Sequence, residues 1–172
     1  MKIGRPAATE AADYYWKYIN LVPGDDPAAA LEAQLTELGD LAAAFSEERS
    51  LYRYAEGKWS VRETLNHITD TERVFSVRAL WFGRGFTEPV ASFDQDVAVV
   101  GAQADRLPWA THVAEFLQVR EATAALFRNM PDGAWSRIGV ASGKPVSVRA
   151  LAFMCAGHAA YHFKILRERY LV

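Results

Sequence analysis

Between Ala28 and Ser46 the apolar residues Leu31, Leu35, Leu38, Leu41, Ala42 and Phe45 recur at steps of three and four, with Glu32, Gln34, Glu37 and Asp40 between them. That period predicts an amphipathic helix with one face for packing. Pro23, Gly24, Asp25 and Asp26 stop whatever the aromatic opening stretch forms, and Pro27 suits the first turn of the new helix. A second stripe, Val61, Leu65, Ile68, Phe75, Ala79 and Phe82, follows Ser60 and Glu63, which stand at capping-box spacing, and ends at Gly83 and Gly85. His67 lies on the flank of that stripe with Thr71, Val74 and Arg78. From Gly83 to Pro108 the chain is broken by glycine and proline, and the short run Val97 to Val100 is too interrupted for a regular helix of any length. We read this segment as a crossover. A third helix is predicted from about Trp109 to Met130, with Val113, Phe116, Leu117, Arg120, Ala124 and Phe127 on one side, closed by Pro131, Asp132 and Gly133. The next connection leaves room for a short strand hairpin between Trp135 and Val146. Ser147 then caps a fourth helix running to about Arg169.

Four helices of similar length with one long crossover, between the second and third, predict an all-α four-helix bundle. No heptad repeat persists and no segment repeats internally. The 172 residues, 51% of them hydrophobic, can bury one sizeable core, so a single domain over residues 1–172 is expected.

The chemistry enters through histidine. His158 and His162 lie four residues apart on the apolar side of the fourth helix, with Leu151, Met154, Cys155, Ile165 and Leu166. An i,i+4 pair points to one place, which a side chain from a facing helix can also reach. A lone histidine on an apolar stripe is usually a packed core residue. Two imidazoles one turn apart carry a larger desolvation cost, which a shared cation offsets. With His67 opposite, the pattern points to a divalent metal held by His67, His158 and His162. Three neutral imidazoles suit zinc or nickel and leave at least one position open to water, a thiol or a carbonyl.

Charge narrows the partners. Nineteen basic and twenty-one acidic residues give a net charge of −2, with no basic tract to follow a phosphate backbone, so nucleic acid is not expected. No apolar run is long enough for a signal peptide or membrane span, and the single cysteine, Cys155, reads as a small packed hydrophobe. A reducing, cytoplasmic setting is expected.

Other polar residues are ambiguous. Asp70 and Glu72 lie about one turn from His67, but Glu72 sits near the centre of its apolar stripe, where pairing with Arg120 or Arg78 competes with catalysis. Asp94 and Asp96 either approach the metal or cap a turn. Tyr161, beside the ligands, either donates a hydrogen bond to substrate or packs on a neighbouring helix. His112 lacks a partner at ligand spacing and is expected to be exposed. Trp59, Trp81, Trp109 and Trp135, near helix ends, are expected to anchor the bundle.

Taken in order, Tyr14 to Ile19, Leu21 to Asp26, Tyr54 to Val61, His67 to Arg73 and Gly157 to His162 resemble the DinB-like superfamily of metalloenzymes. The resemblance implies an up-down-down-up bundle course, with metal ligands at His67, His158 and His162. Two positions depart from close relatives: Ala159 stands where an acidic residue is usual, and Tyr161 where a histidine is. The ligand set is kept, while an extra acid or base beside the metal is not. The family implies thiol-dependent chemistry, so transfer of a low-molecular-weight thiol to a small electrophile is the leading expectation. Metal-dependent hydrolysis is the alternative, and a non-catalytic bundle stapled by metal is a third. A homodimer is also implied.

Overall fold

In the computed structural model, which describes residues 3–171, each long helix begins where a side chain satisfies its free amides. Asp26 accepts from the amides of Ala28 and Ala29 (3.0 and 3.2 Å) and opens α2, Pro27–Ala43, after a short turn, α1, Trp16–Ile19. The Ser60 and Glu63 capping box is complete and starts α3, Val61–Gly83. A shorter helix, α4, covers Gln95–Ala102, and α5 covers Trp109–Arg128, its first amide held by Glu47 (2.9 Å). Ser147 caps the last helix, α6, Val148–Ile165, which continues into a wider π-type turn, Leu166–Tyr170.

The presence of α4 corrects the expectation of an irregular crossover. Gly83, Gly85 and Pro89 fall before Asp94, whose carboxylate accepts from the amides of Asp96 and Val97 (2.9 and 3.2 Å), while Gly101 sits in the helix's last turn and Pro108 lies beyond it. Val99 is the position it buries. One cap and one buried valine suffice for two turns packed beside α3, and such a short apolar signal does not stand out along the chain. The same region overturns the expected exposure of His112. That ring is 1% exposed because the turn at Ala104–Arg106 folds over the start of α5, and Ala104 supplies a carbonyl 2.8 Å from His112 Nε2.

The four long helices surround the core, with α3 packed on both α5 and α6, and α2 closing the other side of both. Side chains tie matching levels together. Trp109 at the start of α5 donates to the Ala42 carbonyl at the end of α2 (3.2 Å), whereas Arg128 at the other end of α5 pairs with Glu32. Arg62 near the start of α3 donates to the Leu107 carbonyl just ahead of α5 (2.6 Å), and Arg73 pairs with Glu115 (2.7 Å). Beyond α2, Arg49 reaches the Tyr170 carbonyl that follows α6 (2.7 Å).

Two apolar clusters lie above and below a polar belt. One gathers Phe75, Phe82, Phe127, Leu151 and Phe153, and the other Leu38, Leu65, Ile68, Phe116 and Phe163. Between them Arg120 grips both carboxylate oxygens of Glu72 (2.6 to 3.0 Å) and bonds Gln34, whose amide donates to the Ala156 carbonyl (2.8 Å). One network therefore joins α2, α3, α5 and α6. Arg120 and Glu72 are 0% and 2% exposed, so each charge depends on the other.

The hairpin room left in the sequence is used. Strands β1, Ile138–Ala141, and β2, Lys144–Ser147, pair antiparallel around Ser142 and Gly143, both at positive φ, the backbone of a two-residue hairpin turn. Val90 adds hydrogen bonds to Val140 and Ser142 (2.9 and 3.1 Å), tying the crossover to the hairpin. No described helix is long and apolar enough to cross a membrane.

Candidate metal centre

The three histidines meet. His67 on α3 faces His158 and His162 on α6, with one ligating atom from each ring lying within 4.8 Å of the others. His67 Nε2 stands 3.1 Å from His158 Nε2. Tetrahedral zinc with nitrogen ligands at 2.0 to 2.1 Å sets neighbouring nitrogens about 3.3 Å apart, so this pair is already at ligand spacing and modest ring rotation brings in the third. His67 and His158 are 3% and 5% exposed, and His162 is intermediate as a whole residue although its ligating atom lies within the cluster.

Electrostatics favour the form that binds metal. Burial lowers His67 to about 4 against the opposing pull of Asp96, and lowers His162 to about 3 with help from His67 and Lys17. His158 is held far below the ordinary histidine range, chiefly by burial and next by His162 and His67. Neutral imidazoles are therefore retained well into acid. Thr71, one turn along α3, places its hydroxyl 3.5 Å from His67 Nδ1. A proton kept at Nδ1 by that contact leaves Nε2 free as a ligand.

Aromatic residues hold the rings. Trp59 lies 4.8 Å from the His67 ring, and Tyr18 meets both His158 and Tyr161 edge-on at 5.2 Å. Tyr18 reaches this place because α1 crosses α6 at Gly157: a Cβ there would stand 2.1 Å from the Tyr18 carbonyl oxygen. Arg5 fixes the same turn by donating to the carbonyls of Ile19, Val22 and Gly24 (2.8 to 2.9 Å). Burial and the neighbouring Tyr14 raise the Tyr18 phenol, so it remains a protonated hydrogen-bond donor. A cavity of about 190 Å³ opens against His67 and His158, walled by Tyr14, Tyr15, Tyr18, Val74, Phe75 and Phe93 and bearing Arg78. A separate depression of about 250 Å³ reaches His162, with Trp59 and Asp96 in its lining.

Residues 30–166 match the sequence profile of the DinB superfamily. The chain belongs to the DinB superfamily. No curated protein matches it. Among solved structures it is similar to YfiT from Bacillus subtilis, described as a probable metal-dependent hydrolase with an unusual four-helix bundle topology, at 15% identity and a TM-score of 0.73. The likeness covers 95% of this chain and 89% of that one, and at such identity it speaks for a shared fold.

Within this DinB superfamily member the other polar residues singled out in the sequence separate. Glu72 is engaged by Arg120 in the belt, one of the two pairings its position suggested. Asp70 is part-buried, paired with Arg73 (3.2 Å), and raised by that burial. Tyr161 packs its ring 5.3 Å from His162 and beside Tyr18. Asp94 serves as a cap, while Asp96 is exposed and close enough to act on His67. Trp59 does more than anchor a helix end, since it covers a histidine. Residue reading missed the contact of Tyr18 with His158 and the cavity role of Arg78. The only local trace of the first was Gly157 beside His158, a small residue where a backbone passes closely.

Proposed function

We propose that this chain is a metal-dependent hydrolase in which His67, His158 and His162 would hold a divalent, zinc-type ion beside the cavity. The observation that carries the reading is the convergence of three imidazoles, held neutral by burial, beside a cavity of small-molecule size. Such an ion, when bound, supplies Lewis acidity and lowers the pKa of water from 15.7 to about 7. The chain supplies the rest. Thr71 orients His67, Tyr18 and Trp59 keep the rings in place, and the Tyr18 phenol offers a proton for hydrogen bonding at the cavity edge. With Glu72 bound to Arg120, no buried carboxylate among the described residues is free beside the rings to act as a strong base.

Thiol transfer would use the same open position and is the second reading. It draws on the family resemblance, whereas the description of the structural neighbour favours hydrolysis. The bundle course that this reading takes is up-down-down-up, supported by the pairing of α5's start with α2's end and of α3's start with the approach to α5. A second copy of the chain as partner belongs to the same reading, and sedimentation equilibrium checks it.

The decisive measurement is elemental analysis of protein purified without a histidine tag. About one equivalent of zinc, nickel or a similar ion is expected, falling to trace levels in His158→Ala and in His162→Ala. Full metal content in both variants would sink the assignment. Turnover of small ester and amide panels, set against thiol-dependent transfer to model electrophiles, then separates the two chemistries.

A further inference from the structure

Three arginines are buried among the described residues: Arg62, Arg78 and Arg120. Two of them have carboxylate partners, Arg62 with Glu47 (2.5 Å) and Arg120 with Glu72 (2.6 Å). Arg78, only 3% exposed, has no carboxylate partner among the described residues. Its Nη2 donates to the Ala91 carbonyl (2.9 Å) and to Ser142 Oγ (3.1 Å), Tyr15 lies beside it, and its Nε has no hydrogen-bond partner. A guanidinium stays charged in proteins, and a buried charge is ordinarily paired. The exception lines the cavity that ends at His67 and His158.

Position fits a ligand as the missing partner. Residues 67, 71, 74 and 78 follow one face of α3, and all four line the cavity. Eleven residues of helix separate the two positions by about 16 Å along the axis, so the guanidinium and the histidines stand at opposite ends of the cavity they share. Val74, Phe75 and Phe93 give the stretch between them an apolar wall.

We propose that the cavity binds a small organic acid whose carboxylate pairs with Arg78 while its reacting group sits at the three-histidine site. This deepens the hydrolase reading and rests on it for the reacting end. A carboxylate in the cavity meets an otherwise unpaired guanidinium charge, with the Ser142 hydroxyl beside it.

The test uses cobalt(II)-loaded protein titrated with ω-mercaptocarboxylates lengthened by single methylenes, and with mercaptoalkanols of the same lengths. The thiolate-to-cobalt absorption band reports binding at the metal end. Wild-type protein is expected to bind the acids at least about tenfold tighter than the alcohols, with an optimum chain length. Arg78→Met should remove that preference while keeping the alcohol affinity, and Arg78→Lys should keep part of it. Equal affinity of acids and alcohols at every length, with the band present, overturns the proposal. The wild-type comparison stands even if Arg78→Met loosens the crossover. If no band forms with any thiol, the metal reading has failed, and melting of the metal-free protein with alkanoates against alkanols decides the carboxylate site. A rise with the acids that Arg78→Met abolishes supports it, and no rise overturns it.

Discussion

Glu72 and Arg120 carry opposite charges through the middle of an apolar core, and their value to the fold depends on both being present. Removing one leaves the other buried and unpaired, so Glu72→Gln or Arg120→Met alone should cost about 3 to 5 kcal/mol in denaturant unfolding. The double replacement should cost much less than the sum, because well-packed apolar groups replace an ion pair at little net loss. A simple sum would mean that the two residues act independently. Protonation gives a second residue-scale prediction. The folded pKa of His67, about 4, lies below its unfolded value near 6.5, and His162 and His158 are shifted the same way. Their contribution is fully present above pH 6.5 and is lost as pH falls toward the folded values, since only the unfolded chain then gains protons. Metal-free protein should therefore lose up to about 1.4 kcal/mol per pH unit for each ring across that window, measured by urea unfolding between neutral and acid pH. A flat profile there would show that the rings are hydrated and ordinary.

At the scale of elements, the start sites of three of the four long helices were legible because their signals are local: Pro27 after the Asp25–Asp26 stop, the Ser60 and Glu63 box, and Ser147 are each readable within four residues, whereas the first amide of α5 is held by the distant Glu47. The histidine pair on α6 was legible for the same reason, and its facing partner followed from the flank position of His67 on α3. What escaped depends on contacts between distant stretches. His112 is covered by a turn whose path no local pattern encodes, and α4 rests on one cap and one buried valine. The crossing of α1 over α6 is the most consequential of these. Gly157→Ala would drive a methyl group into the Tyr18 carbonyl, so a destabilisation of about 1 to 3 kcal/mol is expected. Near-ultraviolet circular dichroism should report loosening of the Tyr18 contact with His158. An alanine variant with unchanged melting and spectrum would mean that α1 does not pack there in solution.

For the molecule as a whole, the metal reading links two helices that the chain order keeps far apart. His67 lies 91 residues before His158, and a shared ion would cross-link α3 to α6 over that span. Chelation should lower the melting temperature and increase amide exchange around residues 67 and 158–162 ahead of the rest, while the Glu72 belt keeps the bundle together. Uniform exchange with and without chelator would argue that no ion bridges the helices. Glu10 adds a separate sensitivity at lower pH. Hydrogen bonding to Arg149 lowers its carboxyl despite burial, so the anchor it makes to the start of α6 is present above its ordinary value of 4.5 and is lost as pH falls below it.

The turn carrying Tyr14, Tyr15 and Tyr18 has a wider consequence. It precedes the family-matched span of residues 30–166, yet it builds one wall of the chamber beside the histidines. Part of the chamber's wall is thus written outside the stretch that carries the three imidazoles and Arg78. Grafting another sequence onto residues 5–24 should alter which molecules enter while the imidazole trio still takes up its ion, making this opening segment a natural place for selectivity to diverge.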